Sequence, residues 1–419
     1  MARVVWWNMY NFAINKIADP HHAVPSQDRL AQIRRVFTNT QPDIFVMLEL
    51  HNRSVGVAGT LVNNLTSGGR GAIRLLTEIR QATGNNNWFM VPPIVTGAGG
   101  KAEGVGVYYN GNTVRFTGPW QCNGQTTGMA VGAPQQYPAA WANLTLNNNN
   151  TLGGQWNYKP LQPAKKKQKK TANNNNSDIN FPIKGERAPW LTTFTEVIGG
   201  RELEIFGLHA PAPGPNAILG TAAILNVDEF TGAEAANVAR ALGGDFNVDA
   251  NSAPKANNPY QQIAAAGYQW VFSTKVPQVP AVFYRTSMRT VGAASLNGIY
   301  PDYGYGVNAY DQIFVRGQTV TDPATTQRII NPVAGTSAPP QANDSGYPNT
   351  PLRNALIGYG YPAAQPAANG TAAFSTPTEM GQDIPTILAG AGPAAAFKLW
   401  ANYGKIRSLS DHLAVVIDL

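Results

Sequence analysis

Gly244-Asp245-Phe246-Asn247-Val248 and Ser410-Asp411-His412 are the two stretches on which the reading of this chain turns. A buried apolar run ending in Asp-x-Asn, and a second ending in Asp-His, put two acids, an amide and an imidazole at the tips of neighbouring strands. Metal-assisted phosphodiester chemistry needs that inventory. Mg²⁺ takes hard oxygen ligands and keeps several waters, and a histidine beside it moves a proton or steadies phosphate charge. Asp-x-Asn also builds turns, so alone it decides nothing.

The N-terminal half supplies further pieces. Arg3-Val4-Val5-Trp6-Trp7-Asn8 reads as an apolar strand ending on an amide, and Asp43-Ile44-Phe45-Val46-Met47-Leu48-Glu49 as one ending on a carboxylate. Between them Leu30, Ile33 and Phe37 recur at helical spacing, with Ser26 placed to cap the helix. The unit is strand, helix, strand, and it delivers Asn8 and Glu49 to one edge. Glu204-Ile205-Phe206-Gly207-Leu208-His209 and Tyr310-Asp311-Gln312-Ile313-Phe314-Val315 add a histidine and an acid beside apolar runs. Singly, a Glu after a strand is a solvated loop residue and a His a satisfied structural group. Six such residues beside apolar runs are harder to dismiss.

On these residues the chain resembles the endonuclease/exonuclease/phosphatase superfamily, and within it the branch of deoxyribonuclease I and the nuclease subunit of cytolethal distending toxin. Trp7-Asn8, Leu48-Glu49, Glu103, Arg187-Ala188-Pro189, Leu208-His209-Ala210, Gly244-Asp245-Phe246-Asn247, Ala309-Tyr310-Asp311 and Ser410-Asp411-His412 carry the likeness, in the family's order. The resemblance implies a four-layered α/β sandwich, two mostly antiparallel sheets packed face to face with helices outside. It implies Asn8, Glu49 and Asp411 as metal-facing residues for Mg²⁺ or Mn²⁺. Asp245 would orient or deprotonate an attacking water, with Asn247 on a phosphate oxygen and His209, His412 and Arg187 as donors to transition-state charge. Glu103 would orient His209 and Asp311 would orient His412. Arg53 and Lys101 are candidate substrate contacts. Lys101 stands where deoxyribonuclease I has a tyrosine, a departure that favours a toxin-like nuclease; Tyr108 and Tyr109 nearby are spaced for packing instead. Of the five histidines, His21, His22 and His51 read as spectators in polar turns.

The remaining sequence bounds these expectations. At 419 residues, 43% hydrophobic and 13% charged, the chain can build a large core but is long for one such domain. One domain over 1–419 is expected, with insertions at about 119–181 and about 318–405. The first is rich in Asn and holds Lys165-Lys166-Lys167-Gln168-Lys169-Lys170, and no acid occurs between Glu103 and Asp178. The second is rich in Ala, Pro, Gly and Thr.

Those five lysines supply most of the net charge of +7. Such a run serves as a phosphate contact, a nuclear-import signal or a solubilising tract. DNA is the partner expected to reward it, through counterion release. Cys122 is the only cysteine, so no intramolecular disulfide forms. No apolar run approaches the ~20 residues of a membrane span. The strand starting near Arg3 leaves no room for a leader, which is compatible with a cytoplasmic enzyme or an exported effector.

The expected activity is metal-dependent phosphodiester hydrolysis, most simply DNA endonuclease. Phosphatase or sphingomyelinase-type phospholipase activity would use the same residues. From another class, the chain could serve as a binding module or as delivered-toxin cargo that docks partner chains.

Overall fold

The computed structural model describes residues 1–19, 23–52, 62–63, 65–91, 93, 95–118, 120–122, 125–126, 151–152, 181, 185–250, 258–272, 286–287, 308–317, 327–330, 332 and 409–419. In chain order the strands are β1 (Arg3–Phe12), β2 (Ile44–His51), β3 (Trp88–Val91), β4 (Val95–Thr96), β5 (Glu103–Asn110), β6 (Val114–Gly118), β7 (Trp120–Cys122) and β8 (Gln125–Thr126). They continue with β9 (Thr151–Leu152), β10 (Trp190–Glu196), β11 (Glu202–His209), β12 (Val238–Asp245), β13 (Gln269–Trp270), β14 (Asp311–Arg316), β15 (Gln327–Ile330) and β16 (Ala414–Asp418).

Two sheets build the fold. One runs β15-β16-β1-β2-β5-β3, with β4 also on β5; the other runs β13-β14-β12-β11-β10-β6. Each has a single parallel pair, β1 with β2 and β11 with β12, and every other pairing is antiparallel. A small third sheet joins β7, β8 and β9.

The sheets pack face to face, β1 over β12 and β2 over β11. The closeness of the approach is set by Gly243, where an added Cβ would lie 2.3 Å from the Trp6 ring. Trp6 Nε1 crosses the interface to donate to the Phe206 carbonyl at 2.9 Å. Outside the first sheet lie α1 (Ile14–Ile17), α2 (Ala23–Thr40) and α3 (Ser67–Thr83), with Phe37 edge-on to Phe45 and the Tyr108 hydroxyl on the Ala72 carbonyl. Outside the second lie α4 (Pro215–Ala222), α5 (Asp228–Thr231) and α6 (Pro259–Ala265), whose Ala217, Phe230, Tyr260 and Ile263 bury Phe206, Leu208, Leu242 and Phe314. Four layers result, helix, sheet, sheet, helix, as the family resemblance implied. No helix of the described residues is long and apolar enough to cross a membrane.

Several expectations need correction. Ser26 does not cap α2, which begins three residues earlier at Ala23; its hydroxyl accepts the Asp19 N–H at 3.1 Å. Ser410-Asp411-His412 does not end a strand but precedes β16. His51 is the last residue of β2, beside Glu103 in the ladder, and not in a turn. Within the stretch taken as a second insertion, Gln327–Ile330 is an edge strand of the first sheet, because Ile329 and Ile330 find burial against β16. Tyr108 and Tyr109 are core residues, as their spacing suggested. Arg53, His21, His22 and Lys165 to Lys170 lie outside the described residues, as does most of both insertions.

Candidate active site

Strand alternation aims the polar residues between the sheets. On β11, Ile205 and Gly207 face the opposite sheet, so His209 does too; on β12, Ala241 and Gly243 carry Asp245 with them; on β14, Ile313 and Val315 carry Asp311. The register then sets these three side by side, His209 opposite Asp245 and Asp245 opposite Asp311. In the facing sheet Asn8 follows Trp6 on β1, and Glu103 precedes Val105 and Val107 on β5. Parallel neighbours contribute their C-terminal ends and antiparallel neighbours their N-terminal starts, so all meet at one mouth of the sandwich.

Glu49 breaks this rule. Phe45 and Met47 share its parity, and Phe45 faces the helix layer against Phe37. Glu49 is at φ +60°, and the β2–β5 register slips between Met47 and Leu50. That bulge turns its carboxylate back into the site. Asn247 is also left-handed, at φ +52°. Gly244 before Asp245 sits at φ +139°, where a Cβ would lie 2.2 Å from the Leu208 carbonyl oxygen, so only glycine fits.

Asp245 is the hub. Its Oδ2 accepts from Asn8 Nδ2 at 3.0 Å and lies 3.4 Å from His412 Nε2 and 3.6 Å from His209 Nε2, while Oδ1 accepts the Asn247 N–H at 2.9 Å. Each imidazole has a carboxylate behind it. His209 Nδ1 donates to Glu103 at 2.8 Å, and His412 Nδ1 donates to Asp311 at 2.8 Å. These bonds put a proton on Nδ1 and turn Nε2 toward the hub. Both histidines are only 7% exposed.

The two differ in charge. Burial and the neighbouring Arg187 cation push the His209 imidazolium down to about 4. Burial acts on His412 in the same direction, but Asp245, Asp311 and Asp411 override it and raise it well above the ordinary imidazole value. At neutral pH His209 is thus held as a neutral acceptor at Nε2, whereas the carboxylates around His412 favour its cation. Burial raises the Glu49 carboxyl; His209 opposes that, and Glu103 and Asp411 add to it.

The donor set fits a hard divalent cation. Two groups of acids and histidine converge within 4.8 Å, Glu49, Glu103 and His209 in one and Asp245, Asp311 and His412 in the other. Asp411 Oδ1 is buried with no hydrogen-bond partner among the described residues, 4.0 Å from His412 Nε2. An orphaned carboxylate oxygen in a crowd of carboxylates suits a cation. Asn8 differs from the expected oxygen ligand: its Nδ2 faces Glu49 at 3.1 Å and Asp245, and its Oδ1 accepts the Tyr10 N–H.

Arg187 also sits otherwise than expected. Its guanidinium donates to the His209 and Ala210 carbonyls at 3.1 and 2.8 Å and lies 3.3 Å from Glu103, so it holds the Glu103–His209 arm from behind. Lys101 pairs with the buried Glu186 and keeps half its side chain exposed. Asn247 Nδ2 faces the Ala210 carbonyl at 3.2 Å, which spends one of its donors. Sequence reasoning missed Tyr310, whose ring stacks on His412 with centroids 6.4 Å apart, and Glu186. Tyr310 adjoins the Asp311 motif, so its place was visible; Glu186 carried no signal beyond its adjacency to Arg187.

The endonuclease/exonuclease/phosphatase family model matches residues 5–333. Comparison with curated proteins returned no match. Among solved structures, an endonuclease/exonuclease/phosphatase family protein from Leptotrichia buccalis is 10% identical, with 100% of this chain and 99% of that one covered and a TM-score of 0.41. A mannosyl-6-phosphatase from Bacteroides thetaiotaomicron is 13% identical, covering 75% and 85%, with a TM-score of 0.38. D. rerio TDP2 complexed with a single-strand DNA product is 9% identical, covering 99% and 97%, also with a TM-score of 0.38.

Proposed function

The chain belongs to the endonuclease/exonuclease/phosphatase family, and on that premise we propose that it is a divalent-metal-dependent phosphodiesterase that cuts DNA endonucleolytically. One observation carries the reading: two imidazoles whose proton affinities are shifted in opposite directions, each backed by a carboxylate, converge on Asp245 beside Glu49 and Asp411. Groups whose proton affinities are driven apart by their surroundings are suited to separate acid and base roles.

Asp245 orients the attacking water and accepts its proton, with Asn247 and Asn8 fixing the carboxylate. His412, held as a cation by Asp311, donates toward the charge that develops on phosphate oxygens. His209, fixed by Glu103 and Arg187, presents Nε2 across the site. Glu49 and Asp411 would hold Mg²⁺ or Mn²⁺, which as a Lewis acid offsets charge on phosphate and leaving group. Donors aimed at transition-state charge in a buried site stabilise it more than the ground state.

A diester is favoured over a monoester by charge. Among the described residues Arg187 is paired with Glu103 and Lys101 with Glu186, which leaves His412 beside Asp245 to face phosphate charge. A monoanionic diester asks less of such a site than a dianionic monoester. DNA is favoured by the basic run Lys165 to Lys170 in the same chain.

Supercoiled plasmid nicking tests this, run beside phosphate release from inositol phosphates and hydrolysis of sphingomyelin. Nicking that needs Mg²⁺ or Mn²⁺ is expected. Cleavage of either other substrate in its place would move the enzyme to a phosphatase or phospholipase branch, and nicking that survives exhaustive EDTA treatment would remove the metal.

A further inference from the structure

We infer that the β1 bulge at Tyr10 and Asn11 is a positioning device for the metal-facing Glu49 and for Asn8, which holds Glu49 and Asp245, built from two consecutive main-chain N–H groups. The inference rests on the proposed metal-dependent reading and adds residues to it. Tyr10 and Asn11 stand at φ +41° and +50°. The Tyr10 N–H donates to Asn8 Oδ1 at 3.0 Å, and the Asn11 N–H donates to Glu49 Oε2 at 3.0 Å. Successive amides of one bulge thus grip the side chains of both Asn8 and Glu49.

Those amides are available because the ladder lets them go. β1 pairs with β2 in even register from Val4 opposite Ile44 to Asn8 opposite Leu48, then resumes only at Phe12 opposite Leu50. In the gap the strand exchanges sheet hydrogen bonds for bonds to the two side chains. The opposite strand bulges at the same level, where Glu49 at φ +60° must turn away from the helix layer to reach the site. Each bulge completes the other: β2 re-aims the carboxylate, and β1 receives it.

Left-handed backbone disfavours L residues, so it persists only where the surroundings enforce it. Among the described residues five that are not glycine have positive φ, and Tyr10, Asn11, Glu49 and Asn247 are four of them. The fifth, Gln41, lies just past α2. Strain of this kind concentrates at the site, where it orients ligands before a cation arrives.

Substitutions at Asn11 separate the backbone's part from the side chain's. Glycine adopts the left-handed region freely, whereas a β-branched residue resists it. Mn²⁺ binding to the whole protein is measured by titration calorimetry for wild type, Asn11→Gly, Asn11→Val and Glu49→Gln, with circular dichroism melts to verify folding. Asn11→Gly should bind within about twofold of wild type and Asn11→Val about tenfold more weakly, a difference of about 1.4 kcal/mol. Glu49→Gln should bind weakest. In nicking assays Asn11→Val should raise the metal concentration at half-maximal rate and recover turnover at saturation, a split that general loss of structure would not give. If Asn11→Val fails to fold, Asn11→Ala carries the same sign with smaller strain.

Wild-type affinity in the folded valine or alanine variant overturns the inference, and so does a glycine variant as weak as the valine one. Those outcomes leave the functional reading standing. A wild-type protein that binds no Mn²⁺ overturns the functional reading first.

Discussion

Asp245 Oδ2 lies between two imidazoles whose proton affinities are shifted in opposite directions. The difference comes from what stands behind each ring: Arg187 beside Glu103 on the His209 side, and carboxylates alone on the His412 side. Replacing Asp311 by Asn removes one raising charge and the Nδ1 acceptor that favours the cation. In the metal-free protein, the His412 imidazole followed by NMR should then titrate at least about one pH unit lower. Because its folded pKa is raised, His412 contributes stability that is full below the ordinary histidine value near 6.5 and is lost as pH rises through the folded value. Asp311→Asn should therefore shrink that alkaline loss of stability in urea titrations. An unchanged imidazole titration would mean that Asp245 and Asp411 set the charge alone. The residues were legible in the sequence because each sits beside an apolar run. Their charge states were not, since those depend on Arg187 beside His209 and on Asp245 and Asp311 beside His412, which meet the histidines only through the fold.

At the scale of the strand, alternation predicts most of the site. Asn8, His209 and Asp245 follow from parity with Trp6, Gly207 and Gly243; the apolar runs before them place His209 and Asp245 on strand ends, whereas β1 runs on past Asn8 to Phe12. Glu49 defies parity, because a bulge inserts a residue without a compositional mark. The direction of the last strand was also hidden. An apolar run flanks Ser410-Asp411-His412 on its C-terminal side, and only antiparallel pairing of β16 with β1 shows why the motif precedes the run. Gly243 is the element-scale feature most open to test. A methyl group there would press on the Trp6 ring, and two sheets joined by strong ladders cannot separate cheaply to admit it. Gly243→Ala should lower stability by about 1–3 kcal/mol in denaturant unfolding, the ordinary cost of overpacking. Trp6→Phe in the same background, by taking away part of the indole, should return some of the loss. Full stability in the single variant would show that the sheets slide where the present packing says they are held.

For the whole molecule, five carboxylates (Glu49, Glu103, Asp245, Asp311 and Asp411) crowd one mouth of the sandwich, where among the described residues His412 and Arg187 supply positive charge. Such crowding is a cost in the metal-free fold. Burial and like charge raise the Glu49 carboxyl, so above the pH where the unfolded chain ionises, keeping this group charged works against folding. A cation that binds the folded state alone reverses the balance, adding about 2.7 kcal/mol when present at one hundred times its dissociation constant. The enzyme trades stability for a site that is ready to bind. Glu49→Gln should expose the trade in both directions. Without metal at neutral pH the variant should melt no lower than wild type, and higher if relief of charge exceeds the lost acceptor geometry, with the gap closing in acid as both side chains become neutral. With saturating Mg²⁺ the order should invert, because wild type gains from binding and the variant gains little. Thermal melts with and without Mg²⁺ at two pH values read all four states. A variant that melts well below wild type in metal-free buffer at neutral pH, or that gains as much from Mg²⁺, would show that Glu49 serves the fold and not the cation.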